Sequence, residues 1–230
     1  MVKIMLTIVM PCLNESKTLL SCINESKQFI ESNKIPTEIL VVDNGSTDGS
    51  VEIAREAGAR VIIEKRRGYG YAVRAGLEAA EGNYIIMGDC DGSYDFADLM
   101  PIIEKLEAGY ALVVGNRLNT NMEKQAMPFL HRYVGVPFLS WFAEKRFGIK
   151  SVKDFHCGLR GVRKDVIEQA SFSTGGMEFA TEMIVEIANR KETICEIPIT
   201  YRKDKREGRS HLRTFRDGWR HMRYMIQKKK

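Results

Sequence analysis

The sequence predicts an α/β fold: a mostly parallel sheet covered by helices on both faces. Two observations carry this. Through the first half, short apolar runs ending in polar, Pro or Gly clusters alternate with helical segments of about ten to fifteen residues, the pattern of crossover-connected parallel strands. The composition is that of an ordinary globular chain, 44% hydrophobic and 28% charged over 230 residues, long enough to bury a sizeable core.

Leu6–Met10 reads as a buried strand stopped by Pro11, and Asn14 as the N-cap of a helix running to about Glu31. Glu38–Asp43 is a second strand, and its Asn44-Gly45-Ser46 turn leads into a short helix capped at Ser46 or Thr47. Arg60–Ile63 is a third strand, followed by a helix from Gly68 to Ala80 with a glycine-rich entry. Asn83–Met87 is a fourth strand, ending at Gly88-Asp89; a helix over Phe96–Glu107 and a strand over Ala111–Val114 follow. Residues 116–136 lack periodicity and read as a mobile loop. Helices over Val136–Phe147 and Glu178–Asn189 and a strand over Thr193–Thr200 complete the body. With no internal repeat and no strong linker, residues 1–201 form one domain and residues 202–230 an extension.

That extension holds twelve Lys or Arg against three acidic residues, net +9. The whole chain is +5, so residues 1–201 carry −4. A mildly acidic body with a strongly basic tail points to an anionic partner. From 211 to 226, Leu212, Phe215, Trp219, Met222 and Ile226 fall on one helical stripe flanked by Arg213, Arg216, Arg220 and Arg223. This is the pattern of a basic amphipathic helix on an anionic membrane surface, or of a helix packed on the domain with a solvated edge. No apolar run approaches the ~18 residues that span a bilayer, and the apolar start is too short for a signal peptide. The five scattered cysteines lack CxxC spacing, which fits reduced thiols and a cytoplasmic chain better than a disulfide framework or zinc site.

Ligands of such sheets sit beyond the carboxyl ends of the strands. Four polar clusters converge there: Pro11-Cys12-Leu13-Asn14-Glu15, Asp43, Asp89-Cys90-Asp91 and Gly115-Asn116-Arg117. Asp89 and Asp91, one residue apart past a strand, can hold one hard cation. Mg²⁺ or Mn²⁺ needs only one or two carboxylates when a diphosphate and water complete the shell. Asp43 can accept bonds from a base or ribose. Gly68-Tyr69-Gly70 permits close backbone approach, but without GxGxxG it is no nicotinamide fingerprint. Arg117 and Arg132 suit bidentate phosphate recognition. The four histidines show no metal-ligand spacing, and GxSxG, HExxH and Walker A sequences are absent.

Together these motifs resemble the family 2 glycosyltransferases, specifically the branch of dolichyl- or polyprenyl-phosphate sugar synthases. Besides the four strand ends, the matching pieces are Asp43–Asp48, Gly68-Tyr69-Gly70, Asp154–Arg160, Met177-Glu178-Phe179 with Glu182, and Gly208–Leu212. The resemblance implies a GT-A fold and inverting transfer from a nucleotide sugar, with a UDP-sugar favoured and GDP-mannose possible. It implies that Pro11, Asn14, Glu15 and Asp43 hold the nucleoside and that Asp89 and Asp91 meet the diphosphate and its metal. Gly70 and Cys90, inside matching motifs, count among the donor-binding residues. Arg117 and Arg132, with Asp91, make up the catalytic set and face the acceptor phosphate; Arg202 and Arg209 close over the donor phosphates. Ser93 stands where many relatives carry Gln and His211 where they carry Lys. Many relatives also continue into transmembrane helices, so the chain is either a soluble member or a piece ending before them.

The expected reaction joins two anions. A lipid phosphate needs no strong base, so arginines shield it while the metal stabilises the departing nucleoside diphosphate. An acceptor hydroxyl would need a carboxylate base, for which Asp154 or Glu178 stand available. The expected setting is the cytoplasmic face of a membrane, with a homo-oligomer compatible. A nucleic-acid binder rests on the tail alone, and nucleic acid is not expected as a partner.

Overall fold

The computed structural model describes residues 5–118, 122, 123, 126–206 and 214–228. Among them, seven strands form one sheet in the order β3-β2-β1-β4-β6-β5-β7. These are β1 (Leu6–Cys12), β2 (Thr37–Asp43), β3 (Arg60–Ile63), β4 (Tyr84–Met87), β5 (Leu112–Asn116), β6 (Arg160–Arg163) and β7 (Ile194–Pro198). The helices are α1 (Leu19–Asn33), α2 (Ser50–Glu56), α3 (Tyr69–Ala79), α4 (Met100–Glu107), α5 (Val136–Phe147), α6 (Lys164–Gln169), α7 (Phe179–Asn189) and α8 (Thr214–Gln227).

β1 pairs in parallel with β2 and β4, β2 with β3, and β5 with β7; β6 runs antiparallel between β4 and β5. The apolar runs that predict β1, β2, β4 and β5 are buried almost throughout, as strands covered on both faces must be. Leu19, Ile23 and Phe29 of α1, Val73 and Leu77 of α3, Ile102 and Leu106 of α4 and Met183 and Ile187 of α7 complete the core.

Several expectations are corrected. Pro11 does not stop β1: it pairs with Val42 and the strand runs on to Cys12. The β4 ladder ends at Val9↔Met87, so a missing N–H costs nothing there. Asn14 is not an N-cap. It sits at φ 55°, and α1 begins at Leu19. Nor do Ser46 or Thr47 cap α2, which starts at Ser50 after Gly49, with Asp48 Oδ1 accepting the Ser50 N–H at 3.1 Å. α4 starts at Met100 with Pro101 in its first turn. Within the span read as a loop, His131–Gly135 forms a π-helical turn running directly into α5.

β6 and α6 have no counterpart in the sequence reading. Arg160-Gly161-Val162-Arg163 has neither an apolar run nor alternation. Its strand exists because its odd residues serve the interior. Arg160, fully buried, donates to the carbonyls of Cys157 (2.7 Å), Ala180 (2.6 Å) and Phe155 (2.8 Å). A Cβ on Gly161 would lie 2.2 Å from Ile102 Cγ2, so only glycine lets α4 cross here.

α8 also differs from its helical wheel. Among the described residues, α8 buries Asp217, His221 and Met225, spaced i, i+4, i+8, with Met222 partly buried against the core, while Trp219 is 65% and Ile226 58% exposed. Arg146 of α5 donates to the carbonyls of Met225 (3.2 Å) and Lys228 (2.8 Å), closing the C-terminal end of α8. Leu212 and Arg213 lie outside the described residues.

Candidate active site at the strand ends

The strand order reverses about β1, with β2 on one side and β4 on the other. The crevice past the carboxyl ends of β1 and β4 is therefore the switch point at which open α/β sheets bind ligands. Two loops wall it. After β1, Asn14 is latched to the loop after β2: its Oδ1 accepts the Thr47 N–H (2.8 Å) and its own N–H donates to Ser46 Oγ (2.9 Å). Asn accepts the left-handed backbone this needs. Glu15 follows, 6% exposed, its N–H donating to Ser50 Oγ at 3.0 Å. After β4, Asp91 is buried, and its Oδ1 accepts from the N–H (2.9 Å) and hydroxyl (2.5 Å) of Ser93. Ser93 thereby orients the aspartate.

The sequence reading did not single out the group that joins these walls. Arg206 Nη1 donates to Glu15 Oε1 at 2.9 Å, and Nη2 to Asp91 Oδ2 at 2.9 Å and Asp204 Oδ2 at 2.6 Å. Its side chain is 16% exposed. The only sequence signal was the density of charge directly after β7. Burial, partly offset by Arg206 and reinforced by Asp91, pushes Glu15 up to about 7. Burial and Asp91 likewise push Asp89 up to about 6, against the fields of Arg206 and Arg117 and a hydrogen bond from Tyr69. Burial is thus the main reason these carboxyls hold their protons more tightly, with the Asp91 charge adding to it.

The other expected site residues divide. Asp43 is buried and spends its carboxylate on its own turn, accepting from Gly45 N (2.9 Å) and Ser46 N (3.1 Å). Cys90 donates its thiol to the Pro11 carbonyl at 3.3 Å, tying β4 to β1. Gly70 is buried inside α3. A Cβ there would lie 2.9 Å from Gly175 C, Gly176 O and Phe179 Cβ, which gives this glycine a packing role. Arg117 is 8% exposed and meets Asp154 through Nε (2.8 Å) and Nη2 (2.9 Å), with its guanidinium 5.3 Å from the Tyr201 ring. Arg132 lies in the π-helical turn over the Tyr133 ring. Arg202 reaches Glu25 (2.8 Å) and Asp95 (2.5 Å). Arg209 and His211 lie outside the described residues. The structure therefore brings together Glu15, Asp89, Asp91 and Arg206, with Arg117 near enough for its field to reach Asp89.

Asp89 and Asp91 fit a hard divalent cation by the chemistry of their donors. Among the described residues no group of three or more His, Cys, Asp or Glu forms a complete cage. A cation here would draw its remaining ligands from a diphosphate and water, as Mg²⁺ commonly does. A neighbouring cleft of about 580 Å³, lined by Asp95, Asp98, Leu118, Leu159 and Ile199 among others, includes neither aspartate.

Comparison with known proteins agrees with this geometry. Residues 7–170 match the model of glycosyl transferase family 2. The low-salt glycan biosynthesis hexosyltransferase Agl6 of Haloferax volcanii is 42% identical over 96% of this chain, and the chain spans about half of that protein (53%). The dolichyl-phosphate hexose transferase of the same organism is 31% identical over 93% of this chain and 89% of its own. Human dolichyl-phosphate beta-glucosyltransferase is 29% identical over 85% of this chain and 67% of its own. Among solved structures, mannosyl-3-phosphoglycerate synthase from Rubrobacter xylanophilus superposes with a TM-score of 0.77 at 19% identity, covering 96% of this chain and 73% of that one. Glucosyl-3-phosphoglycerate synthase from Mycobacterium tuberculosis, in complex with Mn²⁺, UDP and glucosyl-3-phosphoglycerate, gives 0.75 at 18%, covering 96% and 78%. These two establish a shared GT-A architecture. With the strand-end carboxylates and this ancestry, the chain belongs to glycosyl transferase family 2 and is a glycosyltransferase similar to the dolichyl-phosphate sugar transferases.

Proposed function

We propose that the protein transfers a sugar, with inversion, from a nucleotide sugar to the phosphate of a polyprenyl or dolichyl lipid, a UDP-sugar being favoured over GDP-mannose. The observation that carries the acceptor class concerns the two carboxylates a hydroxyl acceptor would need as base. Asp154 is fully buried; burial raises its pKa, but the Arg117 guanidinium outweighs that and holds it below the usual carboxylate range. Glu178 is engaged by Arg220 at 2.9–3.0 Å. Both carboxylates are thus paired with arginines, whereas a lipid phosphate arrives already ionised. The names of the Haloferax and human relatives support the same acceptor.

In this reading Glu15 and the Asp43 turn flank the nucleoside, and Asp89 and Asp91 would hold Mg²⁺ or Mn²⁺ at the diphosphate. When bound, the metal offsets charge on the departing nucleoside diphosphate. Asp154 fixes the plane of Arg117, which with Arg132 draws the acceptor phosphate toward the sugar and offsets the repulsion between two anions. Residues 1–201 act as the catalytic unit and the basic extension as its means of reaching a membrane-resident acceptor.

That extension supports peripheral association with the anionic, cytoplasmic face of a membrane. No helix among the described residues is long and apolar enough to cross one. Yet α8 leaves Trp219 and Ile226 exposed, and the adjoining π-turn and α5 leave Phe129, Leu130, Tyr133, Val134, Phe138 and Trp141 at least half exposed. Exposed Arg216 and Arg223 flank the α8 residues, a charge pattern that fits acidic headgroups.

A thermal-shift screen of nucleotide sugars with Mg²⁺ or Mn²⁺ tests the donor. Binding to the native state alone raises apparent stability by about 2.7 kcal/mol at a hundred times Kd. One nucleotide sugar should stand out, its shift should need the metal, and Asp91→Asn should lose it. A metal-independent shift unchanged in Asp91→Asn would remove the aspartates from the donor site.

A further inference from the structure

The place where a donor-bound cation would sit already has a cation in it. Arg206 lies within 2.9 Å of both Glu15 Oε1 and Asp91 Oδ2 and 2.6 Å of Asp204 Oδ2. It spans the loops after β1 and β4, so its guanidinium occupies the switch-point crevice itself. A guanidinium and a divalent ion drawn to the same Asp91 Oδ2 repel each other, so the two compete for that oxygen, while Asp91 Oδ1 accepts from Ser93.

The backbone carrying Arg206 is fastened where it stands. The Arg202 N–H donates to Ser93 O at 2.9 Å and the Lys205 N–H to Asp91 O at 3.0 Å. Tyr201 bridges to Tyr94, and their rings lie 5.5 Å apart. Arg202 adds ion pairs to Glu25 and Asp95. Segment 201–206 is therefore a strap bound to the very loop that carries Asp91. Any exchange at Asp91 is made by the Arg206 side chain, with the strap in place.

We propose that Arg206 is the counter-cation of the donor site before the donor binds and a positioning residue of that site once it is loaded. Before the donor arrives it balances Glu15 and Asp91 and excludes a free divalent ion. With a metal and nucleoside diphosphate bound, Asp91 would be a metal ligand and Arg206 would turn its guanidinium to the diphosphate oxygens, for which its planar fork is suited. The exchange keeps positive charge on the carboxylates at every stage and makes metal and nucleotide bind as a couple. This inference rests on the reading of the crevice as a donor site.

A merely structural ion pair predicts the opposite sign. Removing one partner of a buried pair leaves the others uncompensated and weakens the site. Removing a competing cation instead opens Asp91 to the metal.

The test is Mn²⁺ binding to the full chain, followed by the EPR signal of free Mn²⁺, with and without UDP, for wild type, Arg206→Ala, Arg206→Gln and Arg206→Lys, with Asp91→Asn locating the site. Wild type should bind Mn²⁺ weakly alone and much more tightly with UDP. In Arg206→Ala and Arg206→Gln, Mn²⁺ alone should bind about tenfold tighter, and the gain from UDP should shrink within the 5–150-fold range usual for coupled ligands. Arg206→Lys, which keeps the competing charge, should stay near wild type for Mn²⁺ alone. Arg206→Gln keeps a polar side chain of similar reach, so it carries the test if the alanine variant does not fold. Mn²⁺ binding that Asp91→Asn abolishes but that is equal or weaker in both uncharged variants would overturn the proposal while leaving the donor site standing. Absence of Mn²⁺-dependent UDP binding in wild type would overturn the donor-site reading itself, and this inference with it.

Discussion

His156 and His221 are the residues whose environment departs furthest from what their neighbours in sequence suggest. Both ring nitrogens of His156 are buried without a hydrogen-bond partner among the described residues, and its ring meets that of His221 edge-on at 4.5 Å. Burial, aided by the fields of Arg117 and Arg160, pushes His156 down to about 3; burial also pushes His221, bonded to Thr181 at 2.9 Å, well down. Held that low, both are poorly suited to general-base catalysis near neutral pH, in keeping with the acceptor proposed above. A base whose folded pKa lies below its unfolded value contributes stability that is complete above the unfolded value, about 6.5, and is lost as pH falls toward the folded one. Glu15 and Asp89, raised to about 7 and 6, act with the opposite sign, losing stability as pH rises through that window. The difference between variants isolates the histidine. In denaturant unfolding between pH 6.5 and 4.5, stability of His156→Phe should change with pH by a signed slope about 1.4 kcal/mol per unit less positive than wild type; equal slopes would mean that His156 is protonated in the fold. At this scale the sequence showed which residue types gather at the strand ends, because Asp89, Asp91 and Glu15 follow strands legible as apolar runs. It did not show Arg206, whose partners lie 115 and 191 positions away and which stands among other basic residues that look alike in one dimension.

Elements were legible where burial is repetitive and illegible where it is singular. β1, β2, β4 and β5 announce themselves because both faces need apolar residues. β6 does not, since a buried arginine and a glycine do its work: Arg160 satisfies three carbonyls and Gly161 admits α4. Replacing Arg160 by Met would leave those carbonyls unpaired in the interior, where each such group costs about 1–3 kcal/mol. Arg160→Met should therefore destabilise the protein by roughly 3 kcal/mol or more, read as a fall in the urea midpoint at unchanged m-value. A loss below about 1 kcal/mol would show that the carbonyls find other partners. α8 carries the complementary lesson. Its apolar stripe is plain in the sequence, but the face it packs is set by Asp217, His221 and Met225, which no periodicity of apolar residues would select.

For the whole molecule, a glycosyltransferase sheet with its crevice at the strand ends is joined to helices that leave apolar side chains uncovered. Both tryptophans of the chain, Trp141 and Trp219, are on those helices and more than half exposed. Intrinsic fluorescence therefore reports any membrane contact directly. Anionic vesicles should shift the emission to the blue and carry the protein down on sedimentation, and 1 M salt, with a Debye length of about 3 Å, should weaken both effects. Identical emission with anionic, neutral and no vesicles would leave these helices without a membrane role. The central claim, transfer to a lipid phosphate, is reached most directly through the product. Purified protein, polyprenyl or dolichyl phosphate in detergent, Mn²⁺ and a sugar-labelled nucleotide sugar should yield label in an organic-soluble, acid-labile phosphodiester, and none when the lipid lacks its phosphate. Label recovered instead in an acid-stable glycoside formed on a sugar hydroxyl, with the lipid phosphate left unmodified, would contradict the account.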